Sequence, residues 1–257
     1  MEVVILAGGL GTRLAEETAL KPKPMVEIGG IPILHHVMDI YGRQGFTEFT
    51  VCLGYLGAVI KRYFHDLVTL GDDLSIELGT GEVRRRPIPE ARGLQWRVNL
   101  IDTGFQTMTG GRLKRLSSVL KGERFLLTYG DGVANVDVNA LLAFHRSHGR
   151  LATVTAVRPP ARFGALDLDG DTIRSFQEKS QLAEGWINGG FMVIERAVLN
   201  LIEGDETVLE RDVLSQVAAD GQLRAFRHEG FWQCMDTLRD VRTLEALWEQ
   251  GNPPWRS

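Results

Sequence analysis

Through its first 160 residues the chain alternates short apolar runs with stretches of helical period, and this alternation limits the folds open to it. Strands are expected at 2–7, 47–53, 97–102, 124–129 and 151–157, and helices near 31–44, 57–66, 111–121 and 137–148. Strands separated by helices join through right-handed crossovers. The order therefore predicts an α/β fold with a mainly parallel sheet covered by helices on both faces. After Pro159-Pro160 the texture changes to short strands near 164–168, 172–177 and 187–194, with a turn at Asp169-Gly170-Asp171. Helices near 207–220 and 238–249 flank a final strand pair at 223–236, so the second half reads as a smaller antiparallel β elaboration.

A chain of 257 residues with 44% hydrophobic content can bury a sizeable core as one domain, 1–257. Its two halves meet at about residue 158, with an insertion at about 71–96 in the first. That insertion carries Arg84-Arg85-Arg86 before Pro87 and Pro89 and breaks the alternation. It reads either as a solvated loop or as a segment that packs on a neighbouring subunit.

The net charge of -4 argues against nucleic acid or an acidic membrane as partner, because both need clustered excess positive charge. Cys52 and Cys234 lie far apart without metal spacing, so neither a disulfide frame nor a zinc site is expected. No signal-peptide pattern or long apolar run appears, which predicts a cytoplasmic protein.

The first strand runs straight into Gly8-Gly9-Leu10-Gly11-Thr12-Arg13, followed by Lys21-Pro22-Lys23-Pro24. Glycines let backbone N–H groups approach a polyphosphate closely, and Arg13, Lys21 and Lys23 add charge. Two familiar phosphate loops fail here. The dinucleotide fingerprint needs glycine at position 14 and finds Leu14, and the P-loop pattern needs glycine at 13 and finds Arg13. A plain strand-to-helix turn remains the other reading of the cluster.

With KPKPM after GGLGTRL, the start resembles the sugar-1-phosphate nucleotidylyltransferases. Further stretches narrow the resemblance to the glucose-1-phosphate cytidylyltransferases: Pro24-Met25-Val26-Glu27-Ile28-Gly29-Gly30, Asp102-Thr103-Gly104, Met108-Thr109-Gly110-Gly111-Arg112, Tyr129-Gly130-Asp131-Gly132, Phe163-Gly164-Ala165-Leu166, Phe176-Gln177-Glu178-Lys179 and Ile187-Asn188-Gly189-Gly190-Phe191. The likeness spans nearly the whole chain. It implies a Rossmann-like, glycosyltransferase-A-like nucleotidyltransferase fold with a nucleotide-binding half and a sugar-phosphate-binding half.

The resemblance also implies roles for residues. Leu6, Ala7, Gly8, Gly9, Gly11, Thr12, Arg13, Lys23, Thr107, Arg112 and Gly130 would bind the nucleotide, with Thr107 and Arg112 at the base or ribose. Tyr129, Glu178, Lys179, Asn188 and Gly189 would bind the sugar phosphate, and Asp131 with Asp236 would hold Mg²⁺. Arg13, Lys23 and Lys179 would carry catalysis. Relatives usually read Glu-Lys-Pro where this chain has Ser180, which loosens the backbone behind Lys179 without removing its charge. The implied partners are CTP, glucose 1-phosphate, CDP-glucose and pyrophosphate, and the implied assembly is a homo-oligomer, a hexamer by family.

Taken alone, these residues leave other readings open. Asp131 fits an ordinary Asp-Gly turn, Asp236-Thr237 a helix N-cap, and Asn188-Gly189 a hairpin turn. The six histidines have no acid partner at triad or metal spacing and read as structural. At the level of function, a thymidylyl- or uridylyltransferase, an NAD-dependent oxidoreductase and a silent nucleotide-sugar sensor are the alternatives.

Overall fold

The computed structural model describes all residues except 12, 13, 15–17, 19, 70–72, 87–94, 160–164, 170, 178–184 and 257. Strand β1 (Glu2–Leu6) shows why the sheet forms. Val3 and Ile5 pack into one hydrophobic cluster while Val4 and Leu6 pack into another, so the strand is buried on both faces. A continuous apolar run is the pattern such a strand requires, and each side chain contributes about 1.5–3 kcal/mol on burial.

The remaining elements follow in chain order. A hairpin of β2 (Glu27–Ile28) and β3 (Ile31–Pro32) leads into α1 (Ile33–Gly42), then β4 (Glu48–Leu53) and α2 (Gly57–Thr69). A second hairpin, β5 (Asp73–Glu77) with β6 (Glu82–Arg86), precedes β7 (Arg97–Asp102) and α3 (Thr109–Arg115). Next come β8 (Arg124–Tyr129), β9 (Gly132–Ala134), α4 (Val138–His148) and β10 (Ala152–Val157). The second half holds β11 (Ala165–Asp169), β12 (Thr172–Gln177), β13 (Ile187–Glu195), α5 (Ser215–Ala219), β14 (Leu223–Arg227), β15 (Trp232–Cys234) and α6 (Leu238–Glu249).

Seven strands form the main sheet in the order β14-β10-β13-β8-β1-β4-β7. β1 runs parallel to β4 and β8, and β13 runs antiparallel to both its neighbours. Buried residues of α1, α2, α4 and α6 belong to the cluster on one face; those of α3 and the segment after β13 belong to the other. The expected α/β architecture is therefore present. Among the described residues no helix is long and apolar enough to cross a membrane.

Several expectations need correction. The helix expected at 111–121 spans Thr109–Arg115, because Gly110 and Gly111 dock their N–H groups on Thr207 O and Ser117 Oγ closes the last turn on Lys114 O. The helix expected at 207–220 begins as a π-helical turn at Leu209–Leu214 before α5. The strand pair at 223–236 is not a pair: β14 joins β10 in the main sheet, and β15 pairs with β9. Strand 187–194 likewise belongs to the main sheet, not to a separate elaboration. The segment at 71–95 contains the β5–β6 hairpin, whose Leu74, Ile76 and Val83 are exposed.

Candidate active site

The carboxyl ends of β1 and β8 lie side by side, with Leu6 paired to Tyr129 and Gly130 N donating to Leu6 O at 3.1 Å. Ligand crevices of parallel sheets open beyond such ends. Here a cleft of about 450 Å³ is lined by Leu6, Ala7, Gly8, Gly9, Gly11, Lys23, Thr107, Arg112, Tyr129, Gly130, Asp131 and Asp236. A larger depression of about 650 Å³ at the opposite end, beside Met1, Arg97 and Arg124, brings together none of the expected site residues.

The β9–β15 pairing explains how two distant aspartates meet. Gly132 pairs with Cys234 and Met235 N donates to Asp131 O at 2.9 Å, which sets Asp131 beside Asp236. Lys23 enters from a short 3-10 turn, Lys23–Met25, stiffened by Pro22 and Pro24. Its Nζ stands 2.6 Å from Asp131 Oδ2 and 2.5 Å from Asp236 Oδ1. Burial disfavours the charged ammonium, but the two carboxylates outweigh it and hold the Lys23 pKa above its ordinary value. Lys21 instead stands 3.8 Å from Glu27. The helix cap is Thr237, which forms a capping box with Asp240, so Asp236 is not the cap and its Oδ1 accepts from Lys23.

Among the described residues no group of three or more His, Cys, Asp or Glu side chains converges. Two carboxylates facing an open cleft suit Mg²⁺, which binds through few protein oxygens and completes its shell with water and substrate phosphates. The donor set fits that ion. None of the six histidines lines the cleft.

The glycine loop is held from behind by Arg112. Its Nη2 donates to Gly8 O at 2.9 Å, and its Nη1 donates to Leu53 O, Thr103 Oγ1 and Gly104 O at 2.8–2.9 Å. Arg112 also lines the cleft; at 4% exposure, its guanidinium places donors on the loops that form the cleft wall. A Cβ at Gly9, by contrast, would meet nothing within 4 Å among the described residues, so their packing does not demand glycine there. Thr107 lines the same cleft, 7% exposed.

On the other side, Tyr129 donates its hydroxyl to Glu210 Oε1, and Asn188 Nδ2 donates to Tyr129 Oη at 3.5 Å. Burial first, and the Glu210 carboxylate second, push the Tyr129 phenol far above its ordinary pKa and keep it protonated. Asn188 and Gly189 lie within β13 opposite β10, which rules out the hairpin turn. A Cβ at Gly189 would meet Val157 Cγ1 at 2.6 Å, and Gly189 O accepts from Trp232 Nε1 at 2.8 Å. Thr12, Arg13, Glu178 and Lys179 lie outside the described residues. Glu210 is the residue that sequence reasoning missed; it stands in Leu209-Glu210-Arg211-Asp212, a stretch that reads as an ordinary solvated helix start.

A strand-end cleft with a glycine-lined wall, a central lysine and paired aspartates has the chemistry to hold phosphates. Residues 2–252 match the nucleotidyl transferase family. The chain is 51% identical to the glucose-1-phosphate cytidylyltransferase of Salmonella typhi, covering 100% of this chain and 99% of that protein. It is 39% identical to a probable glucose-1-phosphate cytidylyltransferase of Bacillus subtilis (strain 168), with the same coverage. In fold it is similar to the UDP-glucose pyrophosphorylase structure from Acinetobacter baumanii, with a TM-score of 0.71 at 15% identity over 99% of this chain and 95% of that one. With the match running from the first strand to the last helix, the chain belongs to the nucleotidyl transferase family.

Proposed function

We propose that the protein transfers the cytidylyl group of CTP to glucose 1-phosphate. A phosphate oxygen of the sugar phosphate attacks the α-phosphorus of CTP, the bond from that phosphorus to the β-phosphate oxygen breaks, and CDP-glucose and pyrophosphate leave. One observation carries the reading: Lys23 reaches between Asp131 and Asp236 in a glycine-walled cleft where β1 and β8 end. The full-length likeness to the Salmonella typhi cytidylyltransferase supports CTP and glucose 1-phosphate as the substrate pair.

A phosphate monoester has a second pKa near ~6, so the attacking group is already dianionic at neutral pH and needs no general base. A cleft lined by no histidine is consistent with that chemistry. The barrier is then repulsion between two polyanions and the alignment of their in-line encounter. In this reading Lys23 neutralises the α-phosphate, Arg13 the departing β and γ phosphates, and Lys179 the incoming phosphate. Glu178 and Asn188 hydrogen-bond sugar hydroxyls, beside Tyr129. Asp131 and Asp236 would hold Mg²⁺, which supplies further positive charge to the nucleotide phosphates when bound. Gly8, Gly9 and Gly11 present backbone to the nucleotide, and Thr107 meets its base or ribose. The reading implies a cytoplasmic enzyme, where CTP and sugar phosphates are found, acting as a homo-oligomer.

Cytosine offers acceptors at N3 and O2 and a donor at N4, a polarity uracil and thymine do not share, so a matched pocket discriminates strongly. The protein is therefore incubated with Mg²⁺, glucose 1-phosphate and each of CTP, dTTP, UTP and GTP, and pyrophosphate is measured. Release at least about tenfold faster with CTP is expected. Release with dTTP alone overturns the cytidine assignment, and release with none overturns the transfer itself.

A further inference from the structure

Glu210 is an acid in a cleft whose proposed ligands are anions. A carboxylate in that position repels phosphates unless its charge is absorbed, so its presence needs a compensating task. Two hydroxyl groups absorb it. Tyr129 donates to Oε1, and Thr109 Oγ1 donates to Oε2 at 2.8 Å while accepting from Leu209 N at 2.9 Å. The π-helical turn at Leu209–Leu214 delivers Glu210 to this place, and π turns of this kind recur at functional sites.

The polarity of the chain of bonds is fixed throughout. The Tyr129 hydroxyl gives its only hydrogen to Glu210, so its oxygen acts toward Asn188 as an acceptor. Asn188 must then present Nδ2 to Tyr129, and its Oδ1 accepts from Gly190 N at 2.9 Å. The amide can no longer flip. One Nδ2 hydrogen remains for a ligand, and the donor and acceptor ends of the side chain are set before any sugar arrives.

We infer that Glu210 is a positioning residue for sugar recognition: through the Tyr129 hydroxyl it fixes the orientation of Asn188 and thereby sets affinity and selectivity for the sugar phosphate. The inference rests on the proposed sugar-phosphate site, of which Asn188 is a part. It assigns Glu210 no contact with the reacting atoms. The anchor at Thr109 ties the same carboxylate to the start of α3, so the sugar-side amide is referenced to the rigid nucleotide half of the cleft.

The test uses Glu210→Gln, Tyr129→Phe and the double variant, with KM measured for glucose 1-phosphate at saturating CTP and for CTP at saturating sugar phosphate. Glutamine keeps the shape of glutamate but offers one acceptor oxygen where two hydroxyls now donate, and phenylalanine removes the same bond from its other end. Each single variant should raise KM for glucose 1-phosphate by about tenfold and leave KM for CTP within about twofold. The preference for glucose 1-phosphate over galactose 1-phosphate should narrow by about threefold or more, a ratio that general loss of folded protein does not move. The double variant should be no worse than the worse single one, because both substitutions break one chain.

An unchanged KM for the sugar phosphate, an equal rise in both KM values, or additive effects in the double variant overturns the inference. Should Glu210→Gln fail to fold, Tyr129→Phe alone decides by the same KM split and selectivity ratio. Failure of the underlying functional reading is distinguishable, since it shows in the wild type as no turnover of glucose 1-phosphate with any nucleotide, and it removes the inference as well.

Discussion

The guanidinium of Arg112 fills the space that a side chain at Gly8 would need: a Cβ there would lie 2.2 Å from Arg112 Nη1. The absence of a side chain at Gly8 and the long side chain reaching in from α3 are therefore one device. Gly8→Ala should displace Arg112 or the loop and lower turnover at least about tenfold. Arg112→Lys supplies three donors to a nest of carbonyls arranged for a planar fork, leaves some of them unpaired, and should lower stability by about 2–4 kcal/mol in urea denaturation. An Arg112→Lys protein of wild-type stability with only its KM for CTP raised would contradict the loop-holding role and favour a direct contact with the nucleotide.

Lys23 neutralises Asp131 and Asp236 where a divalent ion would sit, at 2.6 and 2.5 Å. Removing the ammonium should leave two uncompensated carboxylates. Lys23→Met is expected to bind Mn²⁺ without nucleotide at least about tenfold more tightly than the wild type, read from the free-ion electron paramagnetic resonance signal. Its turnover should nevertheless fall at least about a hundredfold, because the same lysine is assigned to the α-phosphate. Mn²⁺ affinity that is equal or weaker would contradict the geometry.

Asp131→Asn should lower turnover at least tenfold, about 1.4 kcal/mol in the barrier, without loss of folding stability. Steady-state rates paired with thermal denaturation check it. Unchanged turnover would remove Asp131 from the site.

His36 sets a pH dependence of stability. It is buried, its Nδ1 accepts from Trp255 Nε1 at 3.3 Å, and the proton is therefore on Nε2, which donates to Ile28 O at 2.9 Å. Burial holds its pKa below the ordinary 6.5 despite the help of the Ile28 carbonyl. The folded chain thus resists protonation more than the unfolded one, so this contribution is present above 6.5 and is lost as pH falls through the lower folded value. Urea midpoints at pH 7.5 and 5.0 should differ more for the wild type than for His36→Gln. Equal differences would contradict this.

The β5–β6 hairpin carries Leu74, Ile76, Leu78 and Val83 at 38–92% exposure, an apolar surface available to the proposed homo-oligomer. Ile76→Asp should shift the protein to a smaller species on size exclusion. An unchanged elution volume would detach the hairpin from assembly.

Local signals made part of this molecule legible in its sequence. The doubly buried β1, the glycine loop and the Lys23, Asp131 and Asp236 motifs are each written in a few adjacent residues. What stayed hidden depends on partners far along the chain. Nothing near Arg112 says that its acceptors lie on Gly8 and Leu53, and nothing near Glu210 says that Tyr129 and Thr109 will meet it. Likewise Trp232–Cys234 reads as half of a local hairpin until its register with Gly132–Ala134 is seen, and that register is what unites the two aspartates.

The central claim is that this cleft brings CTP and glucose 1-phosphate together on Lys23. A crystal structure of the protein with CDP-glucose and Mg²⁺ tests it most directly. The account predicts the cytidine-side phosphate within hydrogen-bond reach of Lys23 Nζ, the diphosphate along Gly8, Gly9 and Gly11, and the glucose beside Asn188. A product bound elsewhere, or bound here with Lys23 still clasped between both aspartates and touching no phosphate, would contradict it.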